Sequence, residues 1–222
     1  MLRIIGLTVL CGLLVGAGPA AQPATGPTTA PVPDQAAIGE VETIVIFRHG
    51  EKPAGDLGQL TPQGLNRAIA LSTVLPQKFG RPDFLFAPDP GEKVGSAGGG
   101  YNYVRPLATI EPTAIKLGMP VKTPWGFTQI DQLDDELTKP DYASATVFVA
   151  WEHVYAQKAA VALLKMYGGD ASAVPAWPGR DYDSLYIIKI TRTPGGVPSA
   201  VFIHDHEGLD GQSKEMPKPA GQ

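Results

Sequence analysis

A layered α/β fold with a mainly parallel sheet is predicted by three features of this 222-residue chain. Two β-branched, apolar runs, at 41–47 and 145–151, each stop at a polar cluster that contains a histidine. Each run is followed by a segment with helical spacing and its own start signals. Strands that alternate with helices pack as parallel strands with helices on the sheet faces, and ligands collect beyond the carboxyl ends of the strands. His49 and His153 both fall at such ends.

The elements follow in order. Val41-Glu42-Thr43-Ile44-Val45-Ile46-Phe47 reads as a buried strand delivering Arg48-His49-Gly50. Thr61 is a natural N-cap and Pro62 suits the first helical position, so a helix opens there, with Leu65, Ile69, Leu71 and Leu75 as its apolar stripe. A second short strand is expected at 83–87, then a flexible, Gly-rich insertion at 88–100. The helix at 105–117 ends at Gly118, which suits a left-handed cap. A short strand is expected at 120–123, whereas 124–141 shows no clear pattern. The run at 145–151 is the most apolar strand of the second half and enters Glu152-His153 before a helix at 156–167. Finally, 185–191 and 200–204 form an antiparallel hairpin about Pro194-Gly195-Gly196.

Outside the domain, Met1-Leu2-Arg3, the apolar stretch 4–15 and Gly18-Pro19-Ala20 read as a secretory signal peptide, assigned to 1–20. Its apolar run falls short of the roughly 20 residues of a membrane span, so the expected product is secreted or periplasmic with no stable membrane insertion after signal removal, an uncleaved N-terminal anchor being the alternative. Residues 21–39 are a Pro/Ala/Thr-rich linker that cannot bury enough surface to offset its ordering entropy. The catalytic domain is placed at 40–210 and a flexible C-terminal tail at 211–222. Cys11, the only cysteine, lies in the signal segment, so no mature thiol is available for a disulfide or a thiolate nucleophile. A net charge of −4 excludes the broad basic surface that nucleic-acid binding needs, and any anion must be held locally.

Four elements in order carry the chemistry. They are Arg48-His49-Gly50-Glu51, Leu60-Thr61-Pro62-Gln63-Gly64, the helix opening at Arg105 as Arg-Pro-Leu-Ala-Thr, and Glu152-His153. Together, from 41 to 167, they resemble the histidine phosphatase superfamily, also called phosphoglycerate mutase-like. That resemblance implies a three-layer α/β/α sandwich and an enzyme that hydrolyses small phosphorylated substrates through a phosphohistidine on His49; the signal segment makes it an exported one. It implies no metal and no cofactor. The residue types agree with this chemistry on their own terms. A transferring phosphoryl group spreads charge over three oxygens, and Arg48 and Arg105 offer planar paired donors to it, with His153 adding another. His49 attacks phosphorus if a backbone carbonyl fixes its tautomer, and Gly50 admits close approach of the phosphate.

The general acid is less distinct. Glu152 is the first choice, with Asp131 or Asp134 next and Asp135 and Glu136 in the same acidic segment. Glu51 braces the loop after His49, and Lys52 extends the positive rim. His204 and His206 share a strand face but lack a third metal ligand, so a surface position explains them more simply. Trp151, Trp177 and Tyr182 read as packing residues. The loops 88–104 and 124–140 are expected at the mouth of the pocket. Two other functions stay open at this point: a non-catalytic phospholigand-binding domain that keeps the arginine clamp, and a metal hydrolase using His204 and His206. A mutase is disfavoured because export separates it from cytosolic phosphosugars.

Overall fold

The computed structural model describes residues 39–55, 57–95 and 100–218, and every element below belongs to the unit Gln35–Gln222. The signal segment 1–20 and all but the last residue of the 21–39 linker lie outside the described residues.

The first apolar run is β1, Glu40–Arg48. Successive side chains of a strand point to opposite faces, and here Ile44 and Ile46 enter one apolar cluster while Val45 and Phe47 enter another. A strand apolar on both faces must be covered on both. One cover is α1 (Pro62–Phe79) with α2 (Arg105–Leu117); the other is α3 (Ile130–Leu137) with α4 (His153–Met166). The result is the expected three-layer sandwich. Each fully buried Leu, Ile, Val or Phe in it contributes roughly 1.5–3 kcal/mol over an exposed one.

The sheet also contains β2 (Phe84–Phe86), β5 (Thr146–Trp151), β6 (Ser184–Arg192) and β7 (Ser199–His206), and a separate two-stranded hairpin joins β3 (Lys93–Val94) to β4 (Tyr101–Asn102). Strand order is β2-β5-β1-β6-β7. β1 and β2 both pair parallel with β5, while β6 runs antiparallel to β1 and to β7. Four strands therefore share one direction, and the predicted terminal hairpin supplies the exception. The register that pairs Ile44 with Val147 and Arg48 with Trp151 brings the ends of β1 and β5 level. The N–H of His49 then donates to the carbonyl of Trp151 at 3.1 Å, so the two histidine-bearing ends become neighbours.

Several boundaries differ from expectation for local reasons. In α1 the Thr61 side chain caps Gly64 N–H as predicted, but the buried face is Gly64, Arg67, Ala68, Leu71, Ser72 and Leu75, and Ile69 is exposed. The stripe is rotated because an arginine occupies an interior position. α2 ends at Gly118 with φ 63, the left-handed cap expected. The 120–123 strand is reduced to a single bridge between Lys122 and Phe86. The patternless 124–141 segment contains α3 and a 3-10 turn at Pro140–Tyr142. α4 begins three residues earlier than expected because Glu152 caps it. The side chain of Asn66 donates to the carbonyls of Ser213 and Glu215, tying that part of the 211–222 segment to α1. No described helix is long and apolar enough to cross a membrane.

Candidate active site

His49 sits just past the end of β1 and is buried. Its Nδ1 lies 2.7 Å from the carbonyl oxygen of Gly50, which can only accept, so Nδ1 carries the proton and Nε2 keeps its lone pair. Burial pushes the His49 pKa well below the usual imidazole value, and the nearby charges of Arg105, Arg48 and His153 push it the same way against the Gly50 carbonyl. The ring is therefore neutral and nucleophilic at ordinary pH.

Two tyrosine rings connect His49 to the two arginines. Tyr103 meets the His49 ring edge-on at 5.9 Å, and the Arg105 guanidinium lies 4.6 Å from the centre of the Tyr103 ring. Tyr182 stands 6.1 Å from His49 and stacks under Arg48 at 4.0 Å. Both arginines are buried, 1% and 2% exposed. Burial lowers the pKa of Arg48, with Tyr182, Glu152, Tyr103 and Asp181 pulling the other way. Its Nη1 donates to the carbonyls of Gly179 and Asp181, both at 2.8 Å, while its buried Nε has no partner among the described residues. A buried cationic donor left in this way is a strong site for an anion.

Gly50 also has a packing role. A Cβ there would come within 2.8 Å of the Gly64 carbonyl, and one on Gly64 within 2.5 Å of the Glu51 carbonyl. The two glycines let the loop after His49 press backbone to backbone on the first turn of α1. The Gly50 N–H donates to Thr109 Oγ1 at 2.9 Å, and that hydroxyl donates to the Arg105 carbonyl at 2.8 Å, linking the loop to α2.

His153 opens α4 and faces the same space. A Cβ on Gly179 would lie 3.7 Å from its Nε2, while its Nδ1 is in ion-pair contact with Glu152 Oε1. Glu152 Oε2 caps the helix, accepting from Val154 N at 2.9 Å and Tyr155 N at 3.2 Å. Burial raises the Glu152 pKa, but the His153 contact, its charge and the two N–H donors together hold it below the usual carboxylate value. A carboxylate so engaged stays ionised and is poorly suited to donate a proton. To act as the acid, Glu152 has to give up this engagement with the helix cap and His153.

The other acid candidates lie on α3. Asp134 is buried in α3, its pKa raised to about 7 by burial and by Asp131 and Asp135. Asp131 and Asp135 are exposed on the same helix, and Glu136 accepts from Lys139 and Tyr142. His204 Nε2 contacts Ser184 Oγ at 2.9 Å, and no group of three or more His, Cys, Asp or Glu among the described residues is arranged to hold a metal. Trp151 and Trp177 are buried packing residues that donate to the carbonyls of Phe127 and Asp181. Tyr182 instead belongs to the site.

Beneath the loop lies a feature that was not anticipated. Arg67, fully buried on α1, donates to Glu51, Asp183, Glu207 and Asp210. It ties the loop after His49 to the turn after Tyr182 and to the end of β7. Burial, opposed by Arg67 and reinforced by Asp183 and Glu51, raises Glu207 to about 8. The only sequence signal was its spacing, three residues after Gly64 and four before Leu71, on the face α1 buries.

No family model and no curated protein sequence matches the chain. Among solved structures, it resembles the native mycobacterial glucosyl-3-phosphoglycerate phosphatase at 16% identity, covering 73% of this chain and 97% of that one with a TM-score of 0.51. It also overlays a phosphoglycerate mutase from Plasmodium falciparum at 10% identity over 74% of this chain and 89% of that one, with a TM-score of 0.49. The layers, strand order and first of these likenesses define a phosphoglycerate mutase-like α/β fold.

Proposed function

We propose that this chain is a phosphatase of the histidine phosphatase superfamily that hydrolyses phosphomonoesters through a phosphohistidine on His49. The observation that carries this reading is His49, its Nδ1 held 2.7 Å from the Gly50 carbonyl and its ring linked through Tyr103 and Tyr182 to Arg105 and Arg48. His49 Nε2 forms the N–P bond as the ester P–O bond breaks; water then breaks the N–P bond and releases phosphate. Arg48, Arg105 and His153 balance the charge on the phosphoryl oxygens, a role that elsewhere falls to metal ions. His153, held at Nδ1 by the Glu152 carboxylate, turns its ring toward the site and passes a proton to the departing oxygen.

His49→Ala is expected to abolish hydrolysis of p-nitrophenyl phosphate and the acid-labile phosphoenzyme trapped by rapid quench, while a chelator leaves the wild type active. Turnover that survives the substitution sinks the nucleophile. The engaged state of Glu152 favours a second reading, a phospholigand-binding domain without turnover, for which no phosphoenzyme would be trapped. Export is proposed from the 1–20 segment alone; a secreted product starting near Ala21 by mass spectrometry supports it, and an intact N-terminus in the cytosolic fraction refutes it.

A further inference from the structure

Arg48 is gripped by backbone carbonyls, and no carboxylate forms an ion pair with it among the described residues. The distinction matters chemically. A carboxylate partner would neutralise the guanidinium and compete with a phosphate, whereas carbonyls orient it and leave its charge in place. The carbonyls of Gly179 and Asp181 can do so only while their loop holds its shape.

The Asp181 side chain sets that shape. Its Oδ1 accepts from Asp183 N at 2.9 Å and Ser184 N at 3.1 Å, and its Oδ2 accepts from Ser184 Oγ at 2.6 Å. Its carbonyl, besides holding Arg48, accepts from Trp177 Nε1 at 3.2 Å, and its N–H donates to the Pro178 carbonyl at 2.9 Å. The single hydroxyl proton of buried Ser184 goes to Asp181, so Ser184 Oγ accepts from His204 Nε2 on β7. This is not a nucleophilic triad, in which the serine proton faces the histidine and the carboxylate orients the ring. It is a brace that fastens the 177–184 loop to the terminal hairpin.

We propose that Asp181 is a positioning residue for phosphate binding: its carboxylate folds the 177–184 loop so that the Gly179 and Asp181 carbonyls aim Arg48, which no carboxylate hydrogen-bonds, at the phosphoryl group. The proposal rests on the phosphatase reading of Arg48. Tyr182 completes the grip by stacking on the same guanidinium.

The test is calorimetric titration of the purified full chain with inorganic phosphate. Asp181→Ala is expected to weaken phosphate binding about 10-fold, the loss of one well-aimed charge-assisted hydrogen bond, and to raise KM more than it lowers kcat. Asp181→Asn keeps an acceptor for the two backbone N–H groups and restores affinity to within about 3-fold of wild type. If Asp181 acts through Arg48, the Asp181→Ala/Arg48→Ala double variant binds no more weakly than Arg48→Ala alone. A folded Asp181→Ala protein with wild-type affinity, or additive losses in the double variant, overturns the proposal. Should Asp181→Ala fail to fold, Ser184→Ala removes the Oδ2 contact together with the His204 contact while sparing the two backbone N–H bonds to Oδ1, and wild-type affinity there overturns it equally. A wild-type chain that binds no phosphate overturns the phosphatase reading and this proposal with it, whereas loss confined to Arg48→Ala overturns this proposal alone.

Discussion

Adjacent residues of one polypeptide often face opposite ways, yet Glu152 and His153 act together because the strand ends at Trp151 and the helix starts at His153. Glu152, in the capping position between them, reaches both the first N–H groups of α4 and the histidine beside it. The two functions separate by substitution. Glu152→Gln keeps an amide oxygen for the cap, so its melting temperature is expected within a few degrees of wild type, caps being worth about 1 kcal/mol. It replaces the carboxylate that holds His153 Nδ1 with a neutral amide. Turnover of alkyl phosphates, whose leaving oxygen needs a proton, is expected to fall roughly 10-fold or more, the usual scale of one acid-base contribution, while aryl phosphates lose less. Equal losses on both substrate types would show that Glu152 serves only the architecture.

At the scale of the element, α1 illustrates how a helix can carry the site without touching substrate. Gly64 admits the loop after His49, and one turn later Arg67 collects carboxylates from three other segments. Removing that guanidinium would leave Glu51, Asp183 and the buried Glu207 without their shared donor, a loss on the scale of a broken buried pair, about 3–5 kcal/mol. Arg67→Ala is therefore expected to lose at least half that range in urea unfolding, and Arg67→Lys to recover only part, since an ammonium cannot fork to Glu51 and Glu207 together. A cost below about 1 kcal/mol would mean the carboxylates find other partners. The same helix shows what sequence can reveal. Its cap at Thr61 and start at Pro62 are local signals and were legible, as were β1, β5, α2 with Gly118, and the terminal hairpin. Its buried face was not, because an interior arginine looks like a surface one until four carboxylates arrive from elsewhere. α3 was hidden for a related reason: Ile130–Leu137 is short, acidic and lacks a side-chain cap, so tertiary packing makes it a helix. Arg48, His49, Arg105 and His153 were legible from residue type and position at strand and helix ends. The 177–184 loop was not, since its contribution to Arg48 comes from backbone carbonyls that leave no mark on residue identity.

Across the whole molecule, three buried carboxyl groups share an electrostatic predicament. Glu42 is raised to about 7 by burial against the pull of Arg192, Asp134 to about 7 by burial with Asp131 and Asp135 nearby, and Glu207 to about 8 by burial against Arg67. Each holds a proton in the folded state that the unfolded chain releases near pH 4. The folded protein therefore binds more protons than the unfolded one between about pH 4.5 and 8, and stability must fall as pH rises through that window, by up to about 1.4 kcal/mol per unit for each proton retained. Two histidines oppose this on the acid side. Burial depresses His49 and His204, so the folded state there holds fewer imidazole protons than the unfolded one, and their contribution grows as pH rises toward 6.5. Above that value the imidazoles no longer matter and the carboxyl groups act alone. The expected outcome is a lower free energy of unfolding at pH 8.5 than at pH 6.5, measured in urea at constant ionic strength. Glu207→Gln, which imitates the protonated carboxyl, should flatten the alkaline part of the decline. Stability that climbed between those two pH values would show that Arg192 and Arg67 keep their partners ionised in the fold, and that burial is the weaker influence on these three groups.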